Sequence, residues 1–588
     1  MPKNDMTFKI GGEAGQGLES SSAGFAHAIA HAGLHIFTLL DYRSRIRGGH
    51  NFAQIRVSAE PVASHVETVH LLLALTDEAI RRHLEEIPRG GAIICDDKLP
   101  IEEDLAAQIA AAGVGRFTVP LHRFAVELGG SPVMMNTAAT AAAAGVMSFP
   151  LSYIEDIIRK NFGKKGGPLV DANLRVAAAA YDYAAKAYGS SFDHKLEPIA
   201  GAPPRMLLNG NEAFGFGALA GGCRFVAGYP MTPGSPVLEW MAGHGEKYGV
   251  VVKHTEDEIA AICMAIGAGH VGARAMVPTS GGGFSLMVEA LGFAGMSETP
   301  VVIYEAQRPG PSTGLPTRHE QGDLLFALSA SQGEFPRIVL TPGTLEESFE
   351  AGWRAFNLAE KYQTPAIVLS DHFLATSSRT LDLDAFDLSK VAIERGKLLS
   401  DAELDAAAGE YLRYAYADDG VSPRALPGHP KAVYVAEGND HDADSGINEE
   451  IEPRVAQHEK RLKKLETARA DMRPPARFGP AEAPVTLIGW GSTVGPALEA
   501  LKTLNARKPV AQYWHITDMW PLPAEELGRM IAGARLVICV EQNATGQLAR
   551  LIQQETGFQP DYRLLKYDGR PFSPEYIVSG VKEVYADV

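Results

Sequence analysis

Short apolar runs alternate with longer, helix-spaced stretches along most of this chain. In the first 190 residues the runs are TFKI, LHIFTLL, NFAQIRV, HLLLALT and GAIICDD. Such alternation predicts an α/β domain with a largely parallel sheet over residues 1–190. Within it, NTAATAAAAGVMSF from Asn136 is too short to cross a bilayer and predicts a small-residue helix packed against the sheet. The segment closes on the helix-like DANLRVAAAAYDYAAKAYG. GSSFDHKLEPIAGAPPR then has the Gly, Ser and Pro content of a linker, placed at 191–205.

A second alternation over 206–385 (CRFVAG, GVVVKH, ARAMVPT, TPVVIYEA, RIVLTP, PAIVLSD) predicts another α/β domain. Residues 386–480 turn acidic and loop-rich, ending in the charged run EPRVAQHEKRLKKLETARADM. Its Lys and Arg alternate with acids, which predicts a solvated helix face. PVTLIGWG then opens a third α/β unit over 481–588. No repeat with a period of about 20 to 50 residues is present, which excludes a solenoid.

Length agrees with this division, since 588 residues suggest roughly three to four cores. With 46% hydrophobic and 21% charged residues, the composition excludes wholesale disorder. A formal charge of −17 repels phosphate backbones and anionic lipid, so small ligands and protein partners are expected in place of nucleic acid or membrane. Cys95, Cys223, Cys263 and Cys539 are far apart with no CxxC spacing, so any cysteine-bound cluster belongs on another chain. The opening MPKNDMTFKIGG shows no apolar stretch before a cleavage site, and the cytoplasm is the expected compartment.

Candidate chemistry gathers where strands end. KIGGEAGQGLESS sets Gly11, Gly12, Gly15 and Gly17 between a strand and a helix, suiting either an anion at a helix N-terminus or a turn that needs glycine for its backbone angles. The spacing departs from the dinucleotide fingerprint, yet Asp41 closes the next strand as a ribose-binding acid would, leaving a nicotinamide reading open. Arg43, Arg45 and Arg47 precede a Gly-Gly turn and suit a phosphorylated ligand or a salt-bridged interface equally. In GYPMTPGSP, prolines and glycines fix a loop that could aim the Thr232 hydroxyl at a substrate. Glu256, Asp257 and Glu258 open a very apolar helix. All three gain from the helix dipole, but Glu258 adjoins the apolar run and is expected to be desolvated with a raised pKa. TSGGGFS forms another glycine turn. YEAQRPGPSTGLPTRHEQGDL then carries Arg308, Arg318 and His319, cations for a substrate carboxylate or for ion pairs with Glu305, Glu320 or Asp323.

Taken in order, GGEAGQG, RIRGGHN, GYPMTP, TEDEIAAI, TSGGGFSLM, QRPGPSTGLPTR and GNDHDADSG resemble the 2-oxoacid:ferredoxin oxidoreductases, most of all the 2-oxoglutarate synthase type with a γ domain fused to α. The resemblance implies a γ domain associated with coenzyme A, a pyrimidine-binding domain for thiamine diphosphate, and a transketolase C-terminal-like domain. No G-D-G motif is present. That absence agrees with what the resemblance implies, a β subunit carrying the diphosphate site, its Mg2+ and a [4Fe-4S] cluster in a dimer of αβ heterodimers, with ferredoxin as redox partner and no metal ligands here.

By the same resemblance Glu258, with Glu256 as competitor, meets N1′ of the aminopyrimidine, and Tyr229, Pro230, Gly282 and Gly283 line the cofactor. Thr232 meets the 2-oxo group and Arg318 its carboxylate, while Arg308 or His319 could take a second carboxylate. Gly12, Gly15, Gln16, Gly17 and Arg47 are assigned to coenzyme A. The implied reaction converts 2-oxoglutarate to succinyl-CoA and carbon dioxide, or the reverse. Branched-chain or other 2-oxoacids are the alternative substrates, and a nicotinamide-dependent dehydrogenase is the alternative enzyme.

Overall fold

The computed structural model describes residues 3–43 and 48–586, so Arg45 and Arg47 lie outside the described residues. The chain forms two compact units, Met1–Leu208 with Ser377–Ala385 and Ser573–Tyr576, and the remainder.

The first unit holds an eight-stranded sheet ordered Gly115–Val119, Ala92–Asp96, Leu71–Ala74, Asp5–Glu13, His50–Ser58, His35–Asp41, Arg379–Asp382, Arg205–Leu208. Pairings are parallel as far as Asp5–Glu13 and antiparallel from there on. The largely parallel sheet expected from the sequence is thus half antiparallel. The reason is the short connection between His35–Asp41 and His50–Ser58. A parallel pair needs a crossover of about a dozen residues or more, whereas this connection can only fold the chain back on itself. His50–Ser58 consequently sits between Asp5–Glu13 and His35–Asp41, and the adjacent parallel βαβ pair that would aim Asp41 at a dinucleotide ribose does not form.

The expected small-residue helix is Met135–Val146. Its residues from Ala138 onward are buried, and Gly145 lets it press on the helix Gly167–Tyr188, since a methyl there would come within 2.6 Å of Tyr181 O.

The second unit carries a seven-stranded and a five-stranded sheet. The larger runs Asp518–Trp520, Ile338–Leu340, Pro365–Asp371, Val301–Gln307, Ala275–Thr279, Phe225–Gly228, Val251–His254 and is parallel except for Asp518–Trp520. Val301–Gln307 and Pro365–Asp371 are buried throughout, as strands covered on both faces must be. Loops leave the carboxyl ends of Phe225–Gly228, Ala275–Thr279 and Val301–Gln307, where open α/β sheets bind ligands.

The charged run is a helix, Ile451–Ala468, with Glu452, Arg454, Glu459, Lys463 and Glu466 on a solvated face, but it also buries Gln457, Lys460, Arg461 and Lys464. Lys460 and Lys464 each reach an oxygen of the fully buried Glu298 at 2.7 Å, and Arg461 Nη2 reaches Asp440 Oδ1 at 2.9 Å. Charges this deep persist only when paired, so the alternation of signs records an internal network.

Candidate functional site

The loop 229–234, after Phe225–Gly228, is held from two sides. Asn211 Nδ2 donates to Pro233 O at 2.9 Å, itself oriented by Tyr304 OH at 2.8 Å. Arg308 Nη1 donates to Thr232 O at 2.7 Å. Met231 turns its sulfur to Gly283 N at 3.2 Å, and Gly282 faces both Met231 Sδ and Ser312 O. Three loops from adjacent strands thereby meet at the N-terminus of the helix Gly281–Met296. Tyr229 and Pro230 are exposed, Thr232 half-buried.

The three acids before the apolar helix separate in role. Glu256 is exposed. Asp257 is the N-cap of Glu258–His270, accepting from Ala260 N at 2.8 Å. Glu258 is 3% exposed, and its Oε1 has no hydrogen-bond partner among the described residues. Burial pushes its pKa up, and the Asp257 carboxylate adds to the shift. Gly283 makes room for it: a methyl there would lie 2.6 Å from Glu258 Oε1 and closer still to Thr279 Oγ1. A buried polar oxygen left unpaired is costly, which singles Glu258 out among the three acids. A basic ring nitrogen such as N1′ of an aminopyrimidine fits, since a carboxyl of raised pKa can share a proton with it.

The cations divide between two places. Arg308 stands at the Thr232 loop. Arg318 instead donates to Thr317 O at 3.0 Å and packs against Gly569, in the loop after the strand Tyr562–Leu565. His319 is 2% exposed, donates its backbone N to Gly569 O at 3.2 Å, takes Phe373 N on Nδ1 at 3.3 Å and lies 3.6 Å from Asp371 Oδ1. The structure therefore joins Arg308, and not Arg318 or His319, to Thr232.

Sequence reasoning missed Met231 and Asn211 altogether, and took Glu305 and Asp323 only as salt-bridge partners. An acid inside the apolar run VVIYEAQ was the available signal for Glu305.

In the first unit, Gly11 and Gly12 belong to the strand Asp5–Glu13, not to the turn after it. The turn is tighter than expected: Gln16 Oε1 accepts Glu13 N at 2.8 Å, and Gly17, at φ 72°, is the N-cap of Leu18–His31. A cavity of about 690 Å³ is lined by Gly15, Gly17, Asp41, Arg43 and Asn51. Another of about 520 Å³ lies by Gly17, Ser20, Ser21, Asn136 and Asn161. Gly15 and Gly17 thus border space for a ligand, whereas Gln16 is turned back on its own strand. Among the described residues no cluster of three or more His, Cys, Asp or Glu is arranged to hold a metal, and no helix is long and apolar enough to cross a membrane.

Comparison with known proteins accounts for both regions. Residues 216–467 match the family "Pyruvate flavodoxin/ferredoxin oxidoreductase, thiamine diP-bdg", and residues 7–183 match "Pyruvate ferredoxin/flavodoxin oxidoreductase". The chain is 31% identical over 633 residues to a Sulfolobus 2-oxoacid:ferredoxin oxidoreductase subunit alpha, covering 99% of this chain and 97% of the relative. It is 29% identical over 594 residues to the 2-oxoglutarate oxidoreductase subunit KorA of Mycobacterium tuberculosis, covering 93% and 87% respectively. A solved 2-oxoglutarate:ferredoxin oxidoreductase from Magnetococcus marinus, with 2-oxoglutarate, coenzyme A and succinyl-CoA bound, superposes with a TM-score of 0.91 at 33% identity over 99% of this chain and 100% of that one. Matches that span the chain from end to end show that it belongs to the 2-oxoacid:ferredoxin oxidoreductase family as an α-type subunit with a thiamine-diphosphate-binding domain.

Proposed function

We propose that this chain is the α subunit of a 2-oxoglutarate:ferredoxin oxidoreductase, which oxidatively decarboxylates 2-oxoglutarate with coenzyme A to succinyl-CoA and carbon dioxide while reducing ferredoxin. The observation that carries the chemistry is Glu258, buried and unpartnered at Oε1 above Gly283. When bound, thiamine diphosphate supplies a nucleophilic carbon and an electron sink for decarboxylation. Glu258 holds a proton at N1′ of its aminopyrimidine, and the raised pKa keeps that proton exchangeable. Met231, Gly282, Tyr229 and Pro230 would line the cofactor beside Glu258.

Thr232 orients the 2-oxo group. Arg318, on the loop by Gly569, takes the adjacent carboxylate. Arg308, fixed to the Thr232 carbonyl, or His319 is left for the distal carboxylate that 2-oxoglutarate has and pyruvate lacks. A β subunit holds the diphosphate, Mg2+ and a [4Fe-4S] cluster and completes a dimer of αβ pairs. The turn at Gly15–Gly17 and Arg47 serve coenzyme A.

The choice of 2-oxoglutarate rests on relatives and a solved structure so named, while other relatives are named for 2-oxoacids in general. Anaerobic reduction of a viologen dye by the chain co-expressed with its β partner decides it, given thiamine diphosphate, Mg2+, coenzyme A and a panel of 2-oxoacids. Coenzyme-A-dependent reduction far faster with 2-oxoglutarate than with pyruvate or branched-chain acids is expected. A preference for branched-chain acids would transfer the assignment to them, and NAD-dependent turnover in their place would overturn it.

A further inference from the structure

Thr232 sits in a loop where three successive backbone carbonyls are each engaged. Met231 O accepts from Gly234 N at 2.9 Å and from Ser235 N at 3.0 Å, closing the turn on itself. Thr232 O takes Arg308 Nη1 at 2.7 Å, and Pro233 O takes Asn211 Nδ2 at 2.9 Å. Gly234 rests against the end of Ala275–Thr279, where a methyl would come within 2.4 Å of Thr279 O. The direction of the Thr232 side chain therefore follows from the side chains that hold these carbonyls.

The hold at Pro233 traces back to two buried residues. Asn211 is the second residue of the helix Gly210–Ala220, whose start is fixed by a capping box: Asn209 Oδ1 accepts Glu212 N and Glu212 Oε2 accepts Asn209 N, both at 3.0 Å. Gly210 lets this helix begin close to Leu374 O, which would lie 2.4 Å from a methyl there. Tyr304 comes from Val301–Gln307, and its ring stacks on Phe214 of the same helix with centroids 4.2 Å apart. An amide has a donor end and an acceptor end, so whatever fixes one fixes the other. Tyr304 OH donates to Asn211 Oδ1 at 2.8 Å, and burial pushes the phenol above its usual pKa, so it keeps the proton it donates. With Oδ1 committed to Tyr304, Nδ2 is turned to Pro233 O.

We propose that Tyr304 and Asn211 are positioning residues that set the aim of Thr232 at the 2-oxo group, acting through the Pro233 carbonyl. This rests on the reading of Thr232 as the residue that orients that group. Both side chains are buried, so their action passes through the loop backbone. A displacement of about 1 Å at a reacting group costs on the order of 10²-fold in rate. A loop that loses its hold at Pro233 still lets the 2-oxoacid bind through its carboxylate but presents the 2-oxo carbon badly, so the loss belongs in kcat and not in KM.

The test uses the complete complex with its β partner and measures kcat and KM for the 2-oxoacid in single and double variants. Tyr304→Phe removes one oxygen and frees the Asn211 amide to turn, so kcat is expected to fall about tenfold with KM changed less than about threefold. Asn211→Leu removes the hold altogether and is expected to cost roughly 100-fold in kcat. In a Thr232→Val background Tyr304→Phe should cost no further kcat, because the aim it sets is already lost, whereas a role confined to packing would cost the same in both backgrounds. An undiminished further loss in that background overturns the positioning role, and so does an unchanged kcat in Tyr304→Phe. Should Asn211→Leu fail to assemble, Tyr304→Phe and the double variant decide. Thr232→Val alone separates the two levels: a normal kcat there means that the reading of Thr232 has failed, whereas a slow Thr232→Val beside a Tyr304→Phe at full rate sinks this inference alone.

Discussion

Two glycine turns between a strand and a helix, GGEAGQG in the first unit and TSGGGFS in the second, use glycine for different reasons. In the first, the need is in the backbone: Gly15 and Gly17 have φ of 90° and 72°, and Gly17 is an N-cap without a capping side chain. In the second, Gly281, Gly282 and Gly283 are ordinary helical residues in which any side chain could adopt the backbone angles. What forbids a side chain is space already taken, by the Asp323 carboxylate at Gly281 and by Thr279 Oγ1 with the buried Glu258 carboxyl at Gly283. A glycine turn of the first kind exposes backbone N–H groups to a ligand. One of the second kind lets acid groups approach a helix N-terminus.

The strongest way to break this contrast is Glu258→Gln. The amide keeps the shape and loses the exchangeable proton, so turnover in the complex should fall by about 10²–10⁴-fold with assembly intact. Near-normal turnover would remove the functional reason for the close approach at Gly283. Stability should move the other way. Because the native pKa of Glu258 is raised, the folded chain keeps a proton that the unfolded chain has lost, and stability declines as pH rises from the ordinary glutamate pKa through the raised one. Without cofactor, Glu258→Gln should be free of that decline, which melting curves between mildly acidic and neutral pH would show.

Gly283→Ala comes next. Its methyl must displace the Glu258 carboxyl or Thr279 Oγ1, and a shift of about 1 Å in a proton-exchanging group costs on the order of 10²-fold in rate. The variant should bind its β partner yet turn over slowly, with activity measured at saturating thiamine diphosphate. Full activity would mean that Glu258 relaxes freely and that glycine there is a matter of packing.

How much of this the sequence reveals follows from range. Strand and helix positions were legible because apolar period and length are local, and the order of Glu256, Asp257 and Glu258 sufficed to single out the acid next to the apolar run. Pairing partners were not legible. Nothing local in NFAQIRV says that it turns back between two other strands. Nor does the alternation of Lys and Glu in the helix Ile451–Ala468 disclose Glu298, more than 150 residues earlier, as the buried acid it closes on. Arg308 and Arg318 look equivalent in QRPGPSTGLPTR, and only the path of the loop brings one to Thr232 and the other to Gly569.

Gly17→Ala should have the smallest effect and sharpens the contrast from the other side. Alanine at φ 72° is strained by roughly 1–2 kcal/mol, and its methyl would also crowd Asn136 Nδ2 at 2.6 Å. The strain falls on the turn and on the start of Leu18–His31, so hydrogen exchange in that helix's first turns should quicken by roughly 5- to 30-fold, the equivalent of those energies. Coenzyme A should bind more weakly if the turn serves it, while KM for the 2-oxoacid stays unchanged, since nothing at Gly17 shapes the pocket around Glu258. A Gly17→Ala enzyme that instead lost 2-oxoacid affinity would show that the two turns share one task, and the distinction between glycine for backbone angle and glycine for side-chain space would no longer explain the chain's chemistry.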